Sequence, residues 1–188
     1  MDRGNGRLLR VLTLAVLVVG MSSLLSAQAI SSGAQPIALN AQLAESLTLT
    51  LTTNAVNFNL TAGSATNAGA LNITATTAWV LKPGRTAVSL YAYFASNAAA
   101  LTDGVGDNIP SSAFYISDNG GASAALVNSV AFGGANAGLQ LSNVAITGAN
   151  KNSSHADTMA FNINLSALTQ LPAATYTGTL NIQAQATP

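Results

Sequence analysis

The chain has 188 residues, among them six Lys or Arg, six Asp or Glu, one histidine and no cysteine. A chain without cysteine excludes thiol catalysis, zinc–thiolate sites and disulfide staples. So few basic residues leave nucleic-acid binding without an electrostatic footing.

The N-terminus is ordered like an export signal. Arg3, Arg7 and Arg10 form a basic flank, the run Val11 to Leu25 is apolar but broken by Gly20, Ser22 and Ser23, and Ala27-Gln28-Ala29 offers a small–x–small cleavage site. A membrane-spanning helix needs about 20 apolar residues, so residues 1–29 are expected to be cut away before Ile30, leaving no integral membrane segment. The expected route is the Sec pathway, with transit through a periplasm to the cell surface or medium. The remaining chain carries Lys82, Arg85 and Lys151 against Glu45, Asp103, Asp107, Asp118 and Asp157, and three minus five gives a net charge of −2. No charged run is present to steer a charged partner.

Residues 30–36 read as a flexible leader, and residues 37–188 as one domain. From Ile37 a period-two pattern runs through Leu39, Ala41 and Leu43, and on through Leu47, Leu49 and Leu51, with Asn, Gln, Ser and Thr between. Such alternation predicts strands with one buried face. Fifteen residues exceed an ordinary strand, so the pattern is expected either to break at Glu45-Ser46 or to serve two sheets. Further strands are expected at 56–60, 71–81, 88–94, 114–116, 126–132, 139–146, 159–165 and 176–184. Turns fall at Thr61 to Gly69 and at Lys82-Pro83-Gly84. Apolar spacing of three and four never persists, so no substantial helix is expected. Seven to nine short antiparallel strands predict an all-β sandwich of immunoglobulin-like type. A transmembrane barrel would want more strands and girdles of aromatics.

Three places invite chemistry. His155 lies near Ser153, Ser154 and Asp157, the residue types of a Ser/His/Asp hydrolase, but in a polar stretch from Gly148 that reads as a solvated loop. Asp103 to Asn108 resembles a calcium loop yet supplies too few oxygens. The repeated Thr-x-Thr steps read as strand surface. No catalytic, cofactor or metal residue is therefore expected. Trp79, Phe161 and Tyr176 share the parity of core positions and are expected to be structural.

Two stretches resemble secreted bacterial pilin-like subunits of the spore coat protein U-like, chaperone–usher type. One is the alternating run Ile37 to Leu51 followed by Val56-Asn57-Phe58. The other is Leu171-Pro-Ala-Ala-Thr-Tyr-Thr-Gly-Thr-Leu-Asn-Ile182, in which Leu171 to Tyr176 would form a tyrosine corner. The chain departs from that family in lacking its cysteines and in carrying Ala174 where glycine is common. The resemblance implies a non-enzymatic structural subunit of a surface filament, pilus or coat. Its partners would be further copies or related subunits, with a periplasmic chaperone and usher. It also implies that Ile37, Leu39, Ala41 and Leu43, within residues 37–45, serve as a donor strand. The alternatives are a self-contained secreted adhesin or matrix domain, and a secreted hydrolase using His155.

Overall fold

The computed structural model describes residues 32–127 and 138–188. The expected signal at 1–29 lies outside the described residues, as do the first two residues of the leader and most of the strand expected at 126–132. The chain divides into two units, one ending at Gln42 and the other running from Leu43 to Pro188. In the first, residues 32–42 carry neither strand nor helix, and Ile37 and Leu39 are 82% and 89% exposed.

The second unit is an antiparallel β-sandwich. Its larger sheet contains β1 (Ser46–Leu51), β3 (Ile73–Val80), β10 (Asn152–Ile163), β7 (Phe114–Asp118) and β8 (Ala124–Ala125), in that spatial order. The two-residue β2 (Asn67–Ala68) also pairs with β10. The smaller sheet is β11 (Leu180–Thr187), β4 (Ala87–Phe94) and β9 (Leu139–Ala145), again in spatial order. A separate short hairpin joins β5 (Leu101–Thr102) to β6 (Asn108–Ile109), and Ser111–Ala113 form one 3-10 turn.

Alternation explains the central strands. Ile73, Ala75, Thr77 and Trp79 on β3, and Val88, Leu90, Ala92 and Phe94 on β4, all point inward and are at most 8% exposed. Inward residues of both sheets, including Leu90 and Phe94 from one and Met159, Phe161 and Ile163 from the other, share one apolar core. Phe114 anchors it, stacking edge-on with Phe94 at 5.1 Å and Phe58 at 5.7 Å between ring centroids, with Phe161 tilted at 6.0 Å.

Three expectations are corrected. Residues 56–60 do not form a strand: only an isolated bridge joins Phe58 to Gly69. Val56, Phe58 and Leu60 instead pack against the core as a covering loop, and a Cβ at Gly69 would lie 2.8 Å from Val56 Cγ1. The stretch 152–157 is not a solvated loop but the first half of β10, paired with Thr77 to Val80 and their neighbours. The last strand begins at Leu180 rather than Tyr176, because Thr177 bridges to Thr102 of β5. That close approach needs Gly178, where any Cβ would collide with the Ala100 carbonyl oxygen.

Phe114→Ala should cost about 3–5 kcal/mol, since three rings lose a common neighbour. Leu51→Ala, at a site 39% exposed, should cost at most about 1 kcal/mol. Chemical denaturation of the two variants checks the contrast, and similar costs would mean that β1 is packed as tightly as the sheet centre.

Candidate functional site

Strands at the edges of the two sheets are less covered than those at their centres. Among the described residues, β11 pairs only with β4 and β1 only with β3, so each is an edge strand. Their inward side chains are correspondingly half-covered. Leu47 and Leu49 on β1, and Leu180, Ile182, Ala184 and Ala186 on β11, are only part-buried, and Leu51 is 39% exposed. On β10, by contrast, Met159 and Ile163 are at 0%. Neither edge strand contains a charge or a proline, the usual devices that keep an edge from pairing. An open cleft of about 330 Å³ lies between them, lined by Glu45, Ser46, Leu47, Leu81, Ala184 and Ala186 among others.

One end of this cleft is closed by an ion pair. Arg85, from the β3–β4 turn, grips Glu45 in a fork, with Nε–Oε1 at 2.8 Å and Nη2–Oε2 at 3.2 Å. Its remaining arm, Nη1, donates to the Ala186 carbonyl at 3.2 Å, while Lys82 adds a looser contact to Glu45 at 3.9 Å. The bond from Arg85 holds the Glu45 carboxyl below its ordinary range.

Ahead of β1, Leu43 begins the second unit and is 81% exposed, and residues 43–45 have no secondary structure. Ala41 is exposed as well. The pattern that reads as one long strand is therefore paired only from Ser46 onward.

The histidine belongs to a second polar group, placed between the sheets. His155 and Asp157 sit on the same face of β10, with Nε2 3.1 Å from Asp157 Oδ1. Asp157 is 1% exposed. It accepts from Ser142 Oγ of β9 at 2.8 Å and from Asn119 Nδ2 at 3.3 Å. In a serine hydrolase the imidazole stands between hydroxyl and carboxylate, taking the proton of one and oriented by the other. Here the carboxyl occupies the middle, and the hydroxyl that joins the group bonds to it rather than to the ring. The arrangement ties β9 to β10 across the sandwich. Nearby, Thr77 Oγ1 and Asp118 Oδ1 are buried without a hydrogen-bond partner. Burial, then the negative charge of Asp157, pushes the Asp118 carboxyl above its ordinary value, against a smaller opposing pull from His155.

In the glycine–aspartate loop, Asp103 Oδ1 accepts the backbone N–H groups of Val105, Gly106 and Asp107 at 2.9–3.1 Å. The carboxylate is thus spent on shaping its own turn, and these bonds lower its pKa. No group of three or more His, Asp or Glu suited to a metal is found among the described residues.

The remaining structural residues divide. Trp79, 2% exposed, donates its indole N–H to Asn150 O at 2.8 Å, and Phe161 is 6% exposed. Tyr176 is only half-buried, packing against the core from its rim, while its hydroxyl donates to Pro172 O at 2.9 Å. Neither the Arg85 clamp nor the buried position of Asp157 is foreseen by hydropathy, although the charges themselves are conspicuous in so neutral a chain. No protein-family model, curated protein or solved structure matches the chain.

Asp118 gives a pH prediction. A carboxyl whose pKa is raised by folding stabilises the folded state at low pH, and that contribution fades as pH climbs from the ordinary value of 3.8 through the raised one. Asp118→Asn should remove this decline and leave the protein more stable than wild type at neutral pH. Thermal melts from pH 3 to pH 8 read it, and a variant less stable than wild type at every pH would contradict the assignment.

Proposed function

We propose that this protein is a non-enzymatic structural subunit of a bacterial surface filament or coat, exported through the Sec pathway and assembled by strand donation between copies. The observation that carries this reading is the open edge of β11 above a half-covered apolar floor, in a chain that also bears an exposed alternating segment. The strand order supports it. In an immunoglobulin-like sandwich one sheet runs A-B-E-D and the other C-F-G. In the larger sheet β1-β3-β10-β7 follow one another as A-B-E-D would, and in the smaller β4-β11 as C-F would, with β8 and β9 added beside β7 and β4; among the described residues no strand pairs with the free side of β11.

A strand added there satisfies the free backbone groups of β11, while alternate side chains cover the floor. Ile37, Leu39, Ala41 and Leu43 have the required period. A periodicity of two presents all four on one side and leaves Asn40 and Gln42 on the other. Until assembly, a periplasmic chaperone would cover the same edge, and an usher would pass the subunit on. The Ser142–Asp157–His155 order, unsuited to serine activation, supports a role without catalysis.

A self-contained secreted binding domain is the second reading. It is favoured by the outer face of the smaller sheet, where Tyr93 bonds to Gln183 and Gln140 to Ser89 in an array without formal charge.

Leu39→Asp separates the two. A carboxylate forced into the apolar floor should weaken assembly by at least about 100-fold, leaving monomers whose circular dichroism matches wild type. Light scattering across a concentration series checks this. Wild type that stays monomeric, or a variant that assembles as well as wild type, would favour the self-contained domain.

A further inference from the structure

The cleft between β1 and β11 has one apolar end and one end closed by the Arg85 fork, and the closure acts on the backbone itself. Thr86 N–H donates to the Thr187 carbonyl at 2.9 Å, which turns that carbonyl toward the β4 side. Carbonyls alternate along a strand, so those of Ala186, Ala184 and Ile182 point to the open side. Of these three, the Ala186 carbonyl already accepts Arg85 Nη1. Because Arg85 is held by both oxygens of Glu45, a planar fork fixed on two sides keeps it in place.

We propose that the Glu45–Arg85 pair is a register stop, which ends an added strand before Ala186 and confines its pairing with β11 to Leu180 through Ala184. This rests on the strand-donation reading and adds to it the length and alignment of the strand that fits. An intruding strand that ran further would have to displace Arg85 from the carbonyl and leave Glu45 without its partner. It would gain one pair of neutral backbone bonds, and would lose the charge-assisted bond to the Ala186 carbonyl and disturb the two further bonds of the Arg85–Glu45 fork, each stronger than a neutral one. The balance favours stopping. The partner segment thus needs no more than about five residues of pairing, a length that Ile37 to Leu43 exceeds by two.

Amide hydrogen exchange on the full chain tests the stop. Exchange is run on free and assembled protein and quenched before residue-resolved readout. In wild type, assembly should slow the N–H groups of Ile182 and Ala184 on the order of 100-fold, with Ala186 unchanged. In Arg85→Ala the slowing should spread to Ala186. Glu45→Gln, which keeps the side-chain shape and frees the guanidinium, should spread it likewise and serves if Arg85→Ala does not fold. Slowing at Ala186 in assembled wild type, or a boundary unmoved in both variants, overturns the stop while leaving strand donation intact. If no β11 amide is slowed on assembly, strand donation fails and the stop fails with it.

Discussion

Every strand of this protein depends on having a neighbour, because backbone pairing and apolar contact between two sheets are its main means of cohesion. There is no disulfide, and the described ion pairs between Lys or Arg and a carboxylate are confined to the Glu45 clamp. In such a sandwich, cover is what separates a core residue from a surface one. Ala75, flanked by strands on both sides, is at 0%, while Leu51 on the edge strand is at 39%. The difference lies in position in the sheet rather than in hydropathy, and cover is thin along edge strands such as β1 and β11.

Against that background the few charges are placed with economy. Glu45 and Arg85 close one end of the open edge, and Asp103 folds a loop around its own carboxylate. Asp157 links the sheets through Ser142. The last arrangement carries a cost, since a second carboxyl, Asp118, is drawn into the same neighbourhood with one oxygen left without a donor. A buried carboxyl short of donors costs stability, whereas the Ser142 bond to Asp157 joins β9 to β10. None of these charges is spent on the outer surface of either edge strand.

Much of the fold is legible in the sequence, and the exceptions share a cause. The strands around Trp79, Leu90 and Phe161 alternate cleanly because each has one face in a dry core, and hydropathy reports faces. It reports nothing about pairing. Val56, Phe58 and Leu60 alternate as well as any strand, yet they close over the core as a loop with a single bridge. Ser153, His155 and Asp157 look like loop residues because their inward face is polar, and their burial is balanced by Ser142 and Asn119 from elsewhere in the chain. The run from Ile37 to Leu51 holds both cases at once: one pattern, paired after Ser46 and unpaired before it. The clamp could not be read at all, since 40 residues separate Arg85 from Glu45 and 101 separate it from Ala186.

The central claim is that residues 37–43 complete a sandwich other than their own. A chain without cysteine allows a direct measurement, because introduced thiols have no native competitors. Leu39→Cys protein is mixed with Ala184→Cys protein and treated with a thiol crosslinker about 10 Å long, roughly two strand spacings. Strand donation predicts linked pairs containing one chain of each kind, in a yield that falls when an excess of unmodified protein is added. A chain carrying both substitutions that links only to itself at every concentration, or mixed chains that never link, would contradict it.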